Sequence, residues 1–182
     1  MTSEGAVGPD TVLAFWRAAG PDAWFEKDDA FDAEIRARFL ATYEAAAAGR
    51  LTWDKTPDGA LALLIVLDQF PRNMFRGTAR SFASDSLALT AARGTIARGF
   101  DRLLSPVERR FIHLPFEHAE DLAAQRRSLA LCHALDPEDM QYAKRHYEII
   151  ARFGRFPHRN AALGRQSTAE EIEFLKQPGS SF

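Results

Sequence analysis

The stretch Thr56-Pro-Asp-Gly-Ala-Leu-Ala-Leu-Leu-Ile-Val-Leu-Asp68 decides the fold class. Its uninterrupted apolar run, Ala60 to Leu67, fits a buried strand and a buried helix equally well by period alone. Thr56 before Pro57 breaks the tie, because a capping hydroxyl followed by proline suits a first helical turn. No other segment offers the parallel partner that a buried strand needs. The spacing therefore predicts a helix over 57–70, apolar on every side and placed in the middle of an all-α bundle.

Outward from this helix the punctuation is dense. Ser105-Pro106 and Asp136-Pro137 repeat the cap-then-proline pattern. Ser105-Pro-Val-Glu108 and Ser167-Thr-Ala-Glu170 each read as a capping box. Gly20, Gly49, Gly99, Gly154 and Gly164 stand where helices should stop. These marks predict about eight helices, at 10–19, 29–48, 57–70, 85–98, 106–114, 116–134, 137–153 and 168–175. With no proline-, serine- or glycine-rich linker, a single all-helical domain over 1–182 is expected, with irregular tails at 1–9 and 176–182.

Composition narrows the partners. A 182-residue chain with 46% hydrophobic and 26% charged residues is ordinary globular material. A formal net charge of -2 gives no general reason to expect nucleic acid or an anionic membrane. Lys27, Lys55, Lys144 and Lys176 are the only lysines, so most positive charge is arginine, as GC-rich bacterial codons produce. Cys132 is the only cysteine and lies in the apolar-rich stretch Leu129-Ala-Leu-Cys-His, where a buried inert thiol is expected. A single cysteine suits a reducing compartment, and a cytoplasmic location is expected. The first ten residues carry acids without a basic flank, unlike a secretory leader. The run Ala60–Leu67 is far short of the roughly 20 residues that cross a bilayer.

Polar chemistry gathers in three stretches: Asp68-Gln-Phe-Pro-Arg-Asn-Met-Phe-Arg-Gly77, Leu114-Pro-Phe-Glu-His-Ala-Glu-Asp121 and Phe153-Gly-Arg-Phe-Pro-His-Arg-Asn160. Each is read as beginning where an apolar helix ends, and the three are expected to converge. Asp68 emerges from the buried helix and must be paired, with Arg72, Arg76, Arg155 and Arg159 as the obvious partners. His113, Glu117 and Asp121 recur at helical spacing, and Glu117 shares a face with Glu120. The spacing argues against a metal site, since neither His-Glu-x-x-His nor paired Glu-x-x-His helices occur. No nucleotide fingerprint, phosphate loop or nucleophile elbow is present, so no cofactor is expected.

The same stretches, together with Trp24-Phe25, Phe31-Asp32, Phe174-Leu175, Pro178-Gly179 and Ser181-Phe182, resemble an uncharacterised bacterial family, domain of unknown function number 924. The likeness runs from about Val12 onward. It implies a tetratricopeptide-like all-helical fold and carries no reaction with it.

Two readings of the polar cluster compete. Arginine–carboxylate networks commonly tie helix ends together, and Phe-Pro corners commonly end helices. Alternatively, Arg72, Arg76, Arg155 and Arg159 exceed the acids beside them and leave guanidinium groups for a small acidic metabolite or peptide carboxylate. Asn73 and Asn160 would add donors, and His118 or His158, oriented by Glu117 or Glu120, could move a proton. His113, His133 and His146 are expected to be structural or solvated. Three functions follow: a binding protein with an anion-preferring pocket, an acid–base enzyme on an anionic small molecule, or a scaffold whose cluster only staples helices. Fold class does not choose among them.

Overall fold

A computed structural model describes residues 5–133 and 137–181. All regular elements among them are helical: α1 (Pro9–Phe25), α2 (Asp29–Ala47), α3 (Pro57–Leu64), α4 (Phe70–Met74), α5 (Asp85–Ala97), α6 (Pro106–Glu117), α7 (Leu122–His133), α8 (Pro137–Phe153) and α9 (Ala169–Leu175). The predicted cap at Asp136 lies outside the described residues. No helix among those described is long and apolar enough to cross a membrane.

The chain forms two compact units, one from residues 1–76 and 80–115, the other from 77–79 and 116–182. In the first, α3 is the buried helix expected from the sequence: Ala60 through Leu67 are all at most 9% exposed. Thr56 caps it, accepting from the Gly59 amide over 3.1 Å. A Cβ on Gly59 would stand 2.1 Å from the carbonyl oxygen of Trp53, so the first turn closes only over a hydrogen. Around α3 pack Trp16, Phe39, Phe70 and Phe111, all buried, with ring centroids 4.8 to 5.8 Å apart for the Trp16–Phe111, Trp16–Phe70 and Phe39–Phe70 pairs.

The helix does not end at residue 70. A single π-helical turn spans Ile65–Gln69, with the Phe70 amide bonded to the Ile65 carbonyl, and α4 continues from there. Pro71 has no N–H to give the Leu67 carbonyl four residues back. The Ser84 hydroxyl supplies it instead, over 2.6 Å. Ser84 sits at the N-cap position of α5 but makes no side-chain cap there, because its hydroxyl is committed to Leu67. Pro115 is likewise carried inside α6, which runs on to Glu117 rather than stopping at 114. At the start of the chain Gly20 adopts φ 75° and Pro21 restarts the helix, so the expected stop is a kink within α1.

The second unit packs α7 against α8. Its core holds Ile149, Ile150 and Phe156, flanked by Leu122, Phe153 and Phe174. Its capping box falls one residue later than the sequence suggested: Thr168 accepts from the Glu171 amide over 3.2 Å, and Glu171 accepts from the Thr168 amide over 2.7 Å. The predicted Ser167–Glu170 pairing is absent because Glu170 turns outward to Arg152, 2.8 Å away. Residues 176–181 are irregular yet anchored, with Ser180 buried and donating to the Leu175 carbonyl.

Candidate functional site

The first stretch builds its network within the first unit. Asp68 is 1% exposed, accepts from the Gln69 amide at 2.6 Å, and lies 3.5 Å from Arg72 Nη1. Arg72 also donates to both Asp85 oxygens at 2.9 and 3.1 Å, and to the backbone carbonyl of Asp68 at 2.7 Å. Asp32 receives Arg76 through two bonds of 2.8 Å and the Asn73 amide at 2.7 Å. Arg72, Arg76 and Asn73 are therefore committed to carboxylates. The surplus of guanidinium groups inferred from the sequence shrinks, because Asp32 and Asp85 were not among the acids weighed.

The second and third stretches meet within the second unit. Glu120, beyond the end of α6 and so not on a shared helical face with Glu117, accepts from the Phe156 amide at 2.7 Å and from Arg165 at 2.6 and 2.9 Å. Burial raises its pKa, but Arg165, the Phe156 amide and nearby Arg159 outweigh that and hold it below the ordinary glutamate range. Asp121 does not continue the His113–Glu117 row, because it caps α7, accepting from the Ala124 amide at 2.9 Å. Arg155 is taken by Glu171 through bonds of 2.7 and 2.8 Å. Asn160 gives its amide to Ser167 and Glu171 and accepts from Arg165. These contacts read as staples.

A further cluster surrounds the ring of Phe156. The Arg159 guanidinium lies 4.5 Å over that ring, His158 stands 5.7 Å from it and His146 5.6 Å, while His118 lies 6.4 Å from His146. His118 and His158 are half-buried, and Arg159 and His146 are buried. His146 is the residue that helical periodicity hid: it repeats within α8 like any core position, yet it stands at the centre of the cluster. Glu117 Oε1 lies 3.2 Å from His146 Nδ1, and the Tyr142 carbonyl lies 2.8 Å from the same nitrogen. Both neighbours accept, so Nδ1 carries the ring proton. Burial, and then His118, Arg159 and His158, push this imidazole down to about 3, against the opposing pull of the Tyr142 carbonyl. His146 is a neutral ring with Nε2 as its acceptor. His113, by contrast, is buried 3.8 Å from Asp101 in the first unit, and His133 is exposed.

No group of three or more histidine, cysteine or acidic side chains suited to a metal ion occurs among the described residues. An open depression of about 520 Å³ lined by Asp10, Thr11, Ala14, Phe15, Ala18 and Arg38 lies in the first unit and contains none of the cluster.

Residues 12–179 match a family described as a bacterial protein of unknown function, DUF924. The chain belongs to that family. A solved structure of a protein of unknown function from Agrobacterium tumefaciens is 46% identical, covering 92% of this chain and 96% of that one, with a TM-score of 0.90. No curated protein matches the chain. The DUF924 assignment covers all three polar stretches, and the resemblance drawn from them is correct.

Proposed function

We propose that this DUF924 protein binds a small acidic molecule, a carboxylate or a phosphate, at the histidine–arginine cluster of its second unit. The observation that supports this reading is the gathering of His146, His158 and Arg159 about the Phe156 ring, with His118 beside His146 and His146 held neutral. Arg159 brings a fixed positive charge to the cluster, and a guanidinium is the group suited to a bidentate grip on an oxyanion. A thermal-shift series with inorganic phosphate, succinate and citrate tests the reading. A binding acid raises the melting temperature of the parent by mass action, and the rise disappears in Arg159→Ala and shrinks in His158→Ala. A flat response to all three acids removes the reading and leaves the cluster as packing.

A further inference from the structure

We propose that Gln125 is the positioning residue of this site, holding the backbone on both sides of His118. The proposal rests on the reading that His118 belongs to an acid-binding cluster.

Gln125 lies in the first turn of α7 and is completely buried. Its amide nitrogen donates to the carbonyl of Glu117 at 2.6 Å and to that of Ala119 at 2.9 Å, the two residues that flank His118. The amide is presented from a fixed base, since the Gln125 backbone N–H bonds to Asp121 and the Asp121 carboxylate caps the same turn. Glu120, the next residue on, is held by the Phe156 amide and Arg165. The segment from Glu117 to Asp121 is thus tied at 117, 119, 120 and 121, and the imidazole of His118 projects from between two ties.

The orientation of the amide is settled by its neighbours. Turned over, its oxygen would face two carbonyl oxygens at 2.6 and 2.9 Å, which is repulsive. In the orientation adopted, the Gln125 oxygen is buried with no hydrogen-bond donor among the described residues. An orphaned buried acceptor opposes folding. An apolar side chain of similar length would remove that penalty but leave the Glu117 and Ala119 carbonyls without this donor. The bland explanation, that Gln125 satisfies a carbonyl at the end of α6, accounts for the bond to Glu117. It does not account for the bond to Ala119, which lies outside the helix. Holding a half-buried imidazole against rotation of its own backbone accounts for both, and site residues need such supports to keep their geometry.

The test uses the full chain and Gln125→Met, with histidine ring resonances followed by NMR and inorganic phosphate as the probe. In the variant the His118 ring should shift and titrate at a different pH, while exposed His133 on the same helix stays unchanged. If the parent binds phosphate, its affinity should fall roughly tenfold, the loss of one charge-assisted contact. An unchanged His118 titration in a variant that is merely less stable overturns the proposal and leaves Gln125 as a structural tie. Phosphate failing to bind the parent, with His118 still displaced in the variant, sinks the binding reading and keeps the positioning role. Should Gln125→Met not fold, Gln125→Asn, whose shorter amide cannot reach both carbonyls, takes its place with the same His118 readout and the same outcomes.

Discussion

The hydroxyl of Ser84 stands 2.6 Å from the carbonyl oxygen of Leu67, the one carbonyl in the central helix that Pro71 cannot serve. A buried acceptor stripped of its donor costs about 1–3 kcal/mol, so Ser84→Ala should lower stability by that amount in urea denaturation. The loss should shrink in a Pro71→Ala background, where residue 71 regains an N–H. Equal losses in both backgrounds would show that the two residues are not coupled.

Asp68 is the one carboxylate of the first polar stretch and is buried. Asp68→Ala leaves Arg72 with Asp85 as its remaining acid and should cost roughly 3–5 kcal/mol. A melting temperature close to that of the parent would mean that Asp85 alone suffices for Arg72.

Gly59→Ala sets two effects against each other. Alanine favours a helix interior by about 1 kcal/mol over glycine, while the added methyl group meets the Trp53 carbonyl at 2.1 Å. Backbone cannot move aside cheaply, so overpacking should win, with a net loss of about 1–3 kcal/mol. Chemical denaturation showing a more stable variant would refute the close approach.

Glu171 is buried under Arg155, whose two bonds, with the Thr168 amide and Asn160, hold its carboxyl down to about 2. An unfolded glutamate titrates near ~4.3, so the stabilisation is complete above that pH. It is lost as pH falls through the folded value, because the unfolded chain takes up the proton first. Urea midpoints measured from pH 5 down to 2 should fall for the parent and fall less for Glu171→Gln. Parallel curves would place the acid sensitivity elsewhere.

His146 titrates with the same sign by a different route. Its folded pKa is pushed down to about 3 by burial, whereas an unfolded histidine sits near ~6.5. Stability from keeping the ring neutral is therefore full above the higher value and declines as pH drops below it. NMR should show the ring protonated at Nδ1 only and unchanged between pH 8 and 5. A ring that gains a second proton near pH 6.5 would contradict both the burial argument and the assigned tautomer.

Local chemistry was readable where it is local. Thr56-Pro57 announces α3, and Ser105 and Glu108 form the capping box their spacing implies. Proline misled twice: Pro71 lies inside the central helix, where Ser84 takes the freed carbonyl, and Pro115 lies inside α6. The arginine count misled for a similar reason: Arg76 finds Asp32 44 residues away, and Arg155 finds Glu171 16 residues away. Arg165, which holds Glu120 across 45 residues, carried no sequence signal beyond standing after Gly164. His146 was legible only as one more structural or solvated helical position and not as a site, because periodicity reports which way a side chain faces and not what it meets there.

The π-turn at Ile65–Gln69 also sets how this chain can vary in length. The Phe70 amide reaches five residues back, so this turn holds one residue more than an α-helical turn, and removing a single residue from it would restore an unbroken α-helix with the residues after it facing nearly as before. Phe70 would stay against the rings of Trp16 and Phe39, and Arg72 beside Asp85. A one-residue deletion elsewhere in the helix would instead swing everything after it by about 100°. A one-residue gap in an alignment across this helix therefore belongs within 65–69.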